Sequence, residues 1–203
     1  MELNIKRIQD AFREYVSDEN RRLWLDLSAR PIQFGYNIFN SYRTGGKTTN
    51  ILIFALIAYH LYNTTTMYFR SGIKATRAKA ISTLCDGLNN IVNDDGQNYV
   101  QAITDNKYCW IVYHSHTKTF RLLESLESEP IKSPVFIYVC AVSESLSLKS
   151  GFADVNCNIT LYDEFIDDEV TNSSMIEYLN ALSTVFRLRT KSIAFLNCNM
   201  SVG

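Results

Sequence analysis

The chain has 203 residues, 46% of them apolar, and only three prolines, which is enough for one sizeable core with no Pro/Gly-rich linker to divide it. Twenty basic against 21 acidic residues give a formal charge of −1 and a pI of about 6.3, which excludes an overall positive field drawing the chain onto nucleic acid, so any grip there must be local. Five widely spaced cysteines (Cys85, Cys109, Cys140, Cys157 and Cys198), with no C-x-x-C pair and no His cluster, argue against a disulfide framework or a zinc site and for buried thiols in a reducing compartment.

The first ten residues carry Glu2, Lys6, Arg7 and Asp10 and no apolar run, which argues against a secretory signal. Ile5, Ile8, Phe12 and Tyr15 then recur at spacings of three and four with charged residues between them. That pattern predicts an amphipathic helix lying against the outside of the domain, within a helical extension over residues 1–30. Residues 36–40 form a short apolar run that empties into a glycine pair, a strand leading to a loop. The longest apolar run, 51–62, is interrupted by His60 and too short to cross a bilayer, so it reads as a buried helix. The β-branched and aromatic stretch 64–70 predicts a second strand, followed by the basic segment Arg70, Lys74, Arg77 and Lys79.

Residues 75–93 look helical in their first part, with Gly87 and the Asp94-Asp95-Gly96 turn closing the helix. Residues 108–114 and 119–123 have strand composition and are separated by four residues, a hairpin pattern. Residues 135–142 and 159–162 are apolar strands, the second ending at Asp163-Glu164. Along 175–186, Ile176, Leu179, Leu182 and Phe186 fall on one helical stripe, and 193–196 supplies a last buried strand. Apolar strands without alternation, flanked by helices, indicate a single α/β domain over 1–203 with a mostly parallel central sheet covered on both faces.

Between the first strand and the apolar helix runs Ser41-Tyr42-Arg43-Thr44-Gly45-Gly46-Lys47-Thr48. A phosphate-binding loop needs backbone N–H groups around the phosphates, a lysine to neutralise them and a hydroxyl for magnesium at a helix start. Gly45 and Gly46 allow close backbone approach, Lys47 is placed for the β/γ-phosphates, and Thr48 for Mg²⁺, with Thr49 beside it. Ser41 stands where the usual first glycine belongs, and Arg43 is an extra cation inside the loop. An ordinary glycine turn before a Lys-Thr helix start has the same letters, so a second element has to decide.

That element is the acidic pair. In a parallel sheet, ligands bind beyond the carboxyl ends of the strands, where both the loop and Asp163-Glu164 emerge. Asp163 is the candidate metal carboxylate, and Glu164 the residue that orients and polarises the water attacking the γ-phosphate. A solvated acidic face continued by Asp167, Asp168 and Glu169 is the plainer account of the pair alone. Arg187 and Arg189 end the following helix; either one can act as an arginine finger, or both simply suit the helix dipole. Asn197 and Asn199 are two apart and share a face at the end of the last strand, where one can sense the γ-phosphate or the water, or both are simply loop asparagines.

The run Leu161-Tyr162-Asp163-Glu164-Phe165-Ile166, with residues 178–187 (YLNALSTVFR) and Arg43-Thr44-Gly45-Gly46-Lys47-Thr48, resembles the packaging ATPases of small podoviruses with protein-primed genomes. The loop looks like their arginine-containing Walker A motif. The resemblance implies a P-loop NTPase of the additional-strand, catalytic-glutamate (ASCE) type that uses ATP and Mg²⁺. It further implies a homo-oligomeric ring, a pentamer, on the portal vertex of a prohead, driving double-stranded DNA inside from the host cytoplasm. It makes Arg187, acting across subunits, the preferred finger over Arg189, and it makes Asn199 the strand-end asparagine in contact with nucleotide. Lys149 becomes a weak candidate for a second trans contact. Members carry a further C-terminal nucleic-acid-binding domain, which is not expected in this chain.

DNA contacts in such a motor would go to phosphates, irrespective of base. Arg70, Lys74, Arg77 and Lys79 are the candidates, against the alternative of a solvated helix face. Another P-loop DNA translocase or helicase, or a nucleotide-binding module whose loop has decayed at Ser41, fits the same motifs.

Overall fold

The computed structural model describes residues 2–23, 25–41, 46–72, 76, 78–147, 152, 156–164, 172–186 and 191–199. In chain order the elements are α1 (Ile5–Tyr15), α2 (Asp18–Leu23), β1 (Gly35–Ser41), α3 (Lys47–Tyr62), β2 (Thr65–Arg70), α4 (Ala78–Asn90) and α5 (Tyr99–Ile103). They continue with β3 (Trp110–His114), β4 (Thr119–Leu123), β5 (Val135–Ala141), β6 (Cys157–Tyr162), α6 (Asn172–Phe186) and β7 (Ile193–Asn199).

The seven strands make one sheet in the order β1-β7-β6-β2-β5-β4-β3. The first five are mutually parallel, and the β3–β4 hairpin adds two antiparallel strands at the β5 edge. Strands buried on both faces need no polar alternation, which is why β2 and β6 read as almost continuous apolar runs.

One face of the sheet is covered by α3 with α1, α4 and α5. Every residue from Ile51 to Ala58 is buried, consistent with a helix that is apolar all round, and no helix among the described residues is long and apolar enough to cross a membrane. α1 starts at Asn4, whose side chain accepts the Arg7 N–H at 3.1 Å, an N-cap. Its stripe puts Ile8 and Phe12 fully inside the core around α3, so this helix is part of the core layer and not an appendage. Tyr99 of α5 ties α2 to the same layer, its hydroxyl accepting from Asn20 Nδ2 at 2.9 Å.

α6 covers the other face, in a phase offset from the one its sequence suggests. Tyr178, Ala181, Leu182 and Val185 are buried, whereas Ile176 is 59% and Leu179 44% exposed. The Tyr178 ring sets this phase by packing 5.4 Å from Phe69 and 4.7 Å from Tyr162, centroid to centroid, a larger apolar contact than an isoleucine offers. α4 runs through Gly87 to Asn90 instead of closing there. The five cysteines are free, and four of them are buried.

Candidate nucleotide-binding site

Four parallel strands, β1, β7, β6 and β2, deliver their carboxyl ends to one crevice. Gly46 precedes α3 with φ +57°, a left-handed conformation that glycine adopts without a Cβ penalty. It turns the chain so that Lys47, Thr48 and Thr49 open the helix at the crevice. Gly46, Lys47, Thr48, Thr49, Arg70, Leu84, Asp163 and Glu164 line a cavity of about 350 Å³. A larger concavity, about 540 Å³, lies between α1 and residues 93–97. There Arg13 and Arg21 are outnumbered by Glu14, Asp18, Asp94 and Asp95, an acidic lining that does not suit a polyphosphate.

Asp163 is buried, and a buried carboxylate is tolerated only when its oxygens find donors. Oδ1 accepts from Thr48 Oγ1 at 2.7 Å and from Asn197 Nδ2 at 3.2 Å. Oδ2 accepts from Tyr68 Oη at 2.9 Å and lies 3.2 Å from Arg70 Nη2. The Asp163 backbone N–H is fixed to the Phe69 carbonyl at 3.1 Å, so β2 sets where the chain leaves β6. Glu164 follows with φ +55°, a conformation uncommon outside glycine that turns the carboxylate toward the cavity. It is ion-paired with Arg70 Nη1.

Lys47 is only 5% exposed, and burial lowers its pKa while Asp163 and then Cys198 pull it back up. The Tyr68 phenol is pushed well above its usual range, first by burial and then by Asp163. For Arg70, burial opposes the cation, but Tyr68, Asp163 and Glu164 more than offset it, and the guanidinium's pKa is raised.

Thr48 and Asp163 place two hard oxygens side by side, the donor set that magnesium takes alongside waters. Asn197 Oδ1 is buried with no hydrogen-bond partner among the described residues, while Nδ2 of the same amide donates to Asp163. The residues present therefore fit a Mg²⁺–nucleotide complex.

Of the residues singled out in the sequence, Gly46, Lys47, Thr48, Thr49, Asp163 and Glu164 converge on this cavity. Arg43, Thr44, Gly45, Lys74, Arg77, Lys149, Arg187 and Arg189 lie outside the described residues. Ser41 and Asn199 are paired in register as the last residues of β1 and β7. Lys79 is exposed on α4. Arg70, grouped above with the DNA-facing cations, is instead drawn inward: its side chain is 17% exposed and spent on two carboxylates. The sequence reading missed Tyr68 and placed Asn197 second to Asn199. The available signal was position, since Arg70 ends β2 and Tyr68 stands two residues earlier, at the same end of the sheet as the loop.

β7 stands between the strand that feeds the loop and the strand that ends in the acidic pair. Solved structures share the fold as a whole. The N-terminal domain of the DNA packaging ATPase from bacteriophage phi29 superposes with a TM-score of 0.60 at 17% identity, over 84% of this chain and 76% of that one. The shared fold is a mostly parallel seven-stranded sheet flanked by helices. The Phi-28 DNA packaging motor gives a TM-score of 0.56 at 16% identity over 89% of this chain, which spans 50% of that one. The ATPase domain of a Thermus phage large terminase gives 0.51 at 8% identity, over 93% and 72% of the two chains. No protein-family profile and no curated protein matches. At these identities the shared property is the fold.

Proposed function

We propose that this chain is the ATP-hydrolysing domain of a motor that drives double-stranded DNA into a viral prohead. One observation carries the reading: Thr48 Oγ1 stands 2.7 Å from Asp163 Oδ1 across a fold shared with phage packaging ATPases. The metal, when bound, supplies positive charge to the phosphate oxygens; Thr48 and Asp163 would hold it. Lys47, buried at the floor of the crevice, neutralises the β- and γ-phosphates. Glu164 orients the attacking water and accepts its proton, a role open to it once Arg70 turns from the carboxylate to other partners. Asn197 donates its amide N–H to Asp163 and so helps hold that carboxylate in place.

The remaining parts of the reading rest on the sequence resemblance and on the kinds of assembly in which the structural neighbours are found. They are a homo-oligomeric ring, a pentamer, docked on the portal vertex in the host cytoplasm, with Arg187 as the trans-acting finger and Arg189 as its alternative. The loop residues Ser41, Arg43, Thr44 and Gly45 and the strand-end Asn199 complete the nucleotide contacts. Lys79, with Lys74 and Arg77, touches the DNA backbone.

The test is steady-state ATP hydrolysis by this chain with and without duplex DNA, beside a strand-separation assay. Mg²⁺-dependent hydrolysis stimulated by duplex, with no unwinding, is the expected result. Phosphate transfer to a small acceptor, or unwinding, would replace this reading with a kinase or a helicase.

A further inference from the structure

Tyr68 belongs to no phosphate-loop or acidic-pair pattern, yet it stands at the centre of the polar network. It lies on β2, is fully buried, and is flanked in register by Val139 of β5 and Leu161 of β6. Its hydroxyl accepts from Arg70 Nε at 2.7 Å and donates to Asp163 Oδ2 at 2.9 Å. The direction of both bonds is fixed by chemistry. A guanidinium Nε can only donate, and a phenol has one proton to give, so that proton goes to the carboxylate.

Asp163 is therefore gripped on both oxygens, with Thr48 and Asn197 on Oδ1 and Tyr68 and Arg70 on Oδ2. The two partners of Oδ2 differ in kind. Arg70 sits at the end of a long, rotamer-rich side chain and divides its donors between Asp163 and Glu164. Tyr68 has two side-chain torsions and a ring fully buried in the core, so holding it in place costs little further entropy. We propose that Tyr68 is a positioning residue for the metal site: its hydroxyl fixes the Asp163 carboxylate with Oδ1 toward Thr48 and keeps it there when Arg70 is withdrawn. This rests on the proposed function, because it assigns Tyr68 to the carboxylate that would hold the metal. Outer hydrogen bonds of this kind typically set metal affinity within a factor of about 10–100.

The experiment uses Tyr68→Phe, which keeps the ring and deletes only the hydroxyl. Mn²⁺ is titrated into the protein with a non-hydrolysable ATP analogue and followed by electron paramagnetic resonance. Nucleotide binding without metal is measured separately by calorimetry in EDTA. The expected result is metal-free nucleotide affinity within about twofold of the parent and Mn²⁺ affinity about tenfold weaker. The hydroxyl deletion should add no further loss in an Asp163→Asn background. Unchanged Mn²⁺ affinity in Tyr68→Phe, with a clear loss in Asp163→Asn, overturns the assignment and leaves the proposed function standing. A parent chain that takes up neither nucleotide nor Mn²⁺ removes both. Should Tyr68→Phe fail to fold, Arg70→Gln decides. Retained or improved Mn²⁺ affinity supports Tyr68 as the holder, and a loss as deep as that of Asp163→Asn overturns it.

Discussion

Arg70 and Glu164, 94 positions apart in sequence, are joined side chain to side chain, and the same guanidinium reaches Asp163. The cation comes from the strand beside the acidic one, so the two carboxylates are neutralised from within the sheet. Glu164 is thus engaged by Arg70.

Removing the cation should leave Asp163 buried beside an uncompensated neighbour. Arg70→Met is expected to lower unfolding free energy by about 2–4 kcal/mol, toward the low end of buried-pair losses because Glu164 is partly solvated. Asp163→Asn in that background should restore part of it, a coupling of about 0.5–3 kcal/mol in a double-mutant cycle by urea denaturation. Strict additivity of the two changes would contradict the ion pair.

Glu164→Gln keeps size and hydrogen bonding but cannot take a proton. ATP-analogue affinity should stay within a few-fold of the parent, while turnover drops by about 10²–10⁴. Isothermal titration and a phosphate-release assay on the same preparation separate the two, and equal losses of binding and turnover would place Glu164 in ligand binding instead.

The phase of α6 is open to a stability comparison. Tyr178→Ala empties space against Phe69 and Tyr162 and should cost about 3–5 kcal/mol. Ile176→Ser, on the exposed side of the same helix, should stay within about 0.5 kcal/mol. A large loss at Ile176 and a small one at Tyr178 would mean that the helix is rotated from this position.

Burial lowers the Lys47 pKa, with Asp163 and Cys198 opposing the shift. Between that lowered value and the unfolded value of 10.5, the unfolded chain binds more protons than the folded one. Stability must therefore rise with pH across that window, and the desolvation cost is complete below the folded value. Relative to Lys47→Met, the parent should gain stability as pH rises toward 10.5, read from urea midpoints. Parallel profiles for the two proteins would show that Lys47 is not desolvated.

Much of the architecture was legible because it is written in short-range patterns. The run 51–62 announced a buried helix, and the burial of Ile51 to Ala58 follows from there being no polar face to turn outward. The hairpin of β3 and β4 was visible in two strand-like runs four residues apart. The short helix α5 was not, since five residues carry too little periodicity to register. Gly87 misled because a glycine inside a helix costs only about 1 kcal/mol, which the packing of Ile81, Cys85 and Leu88 outweighs.

The amino-acid order alone determined which side chains end the loop strand and the acidic strand, and therefore that Lys47, Thr48, Asp163 and Glu164 share one end of a parallel sheet. Only the tertiary structure decided which other residues join them. Tyr68 and Arg70 enter because β2 lies beside β6, and Asn197 because β7 inserts between β6 and β1. Those neighbour relations are fixed by how the crossovers pack their helices over the sheet. Contacts spanning 34 to 115 positions leave no mark in any local window of the chain.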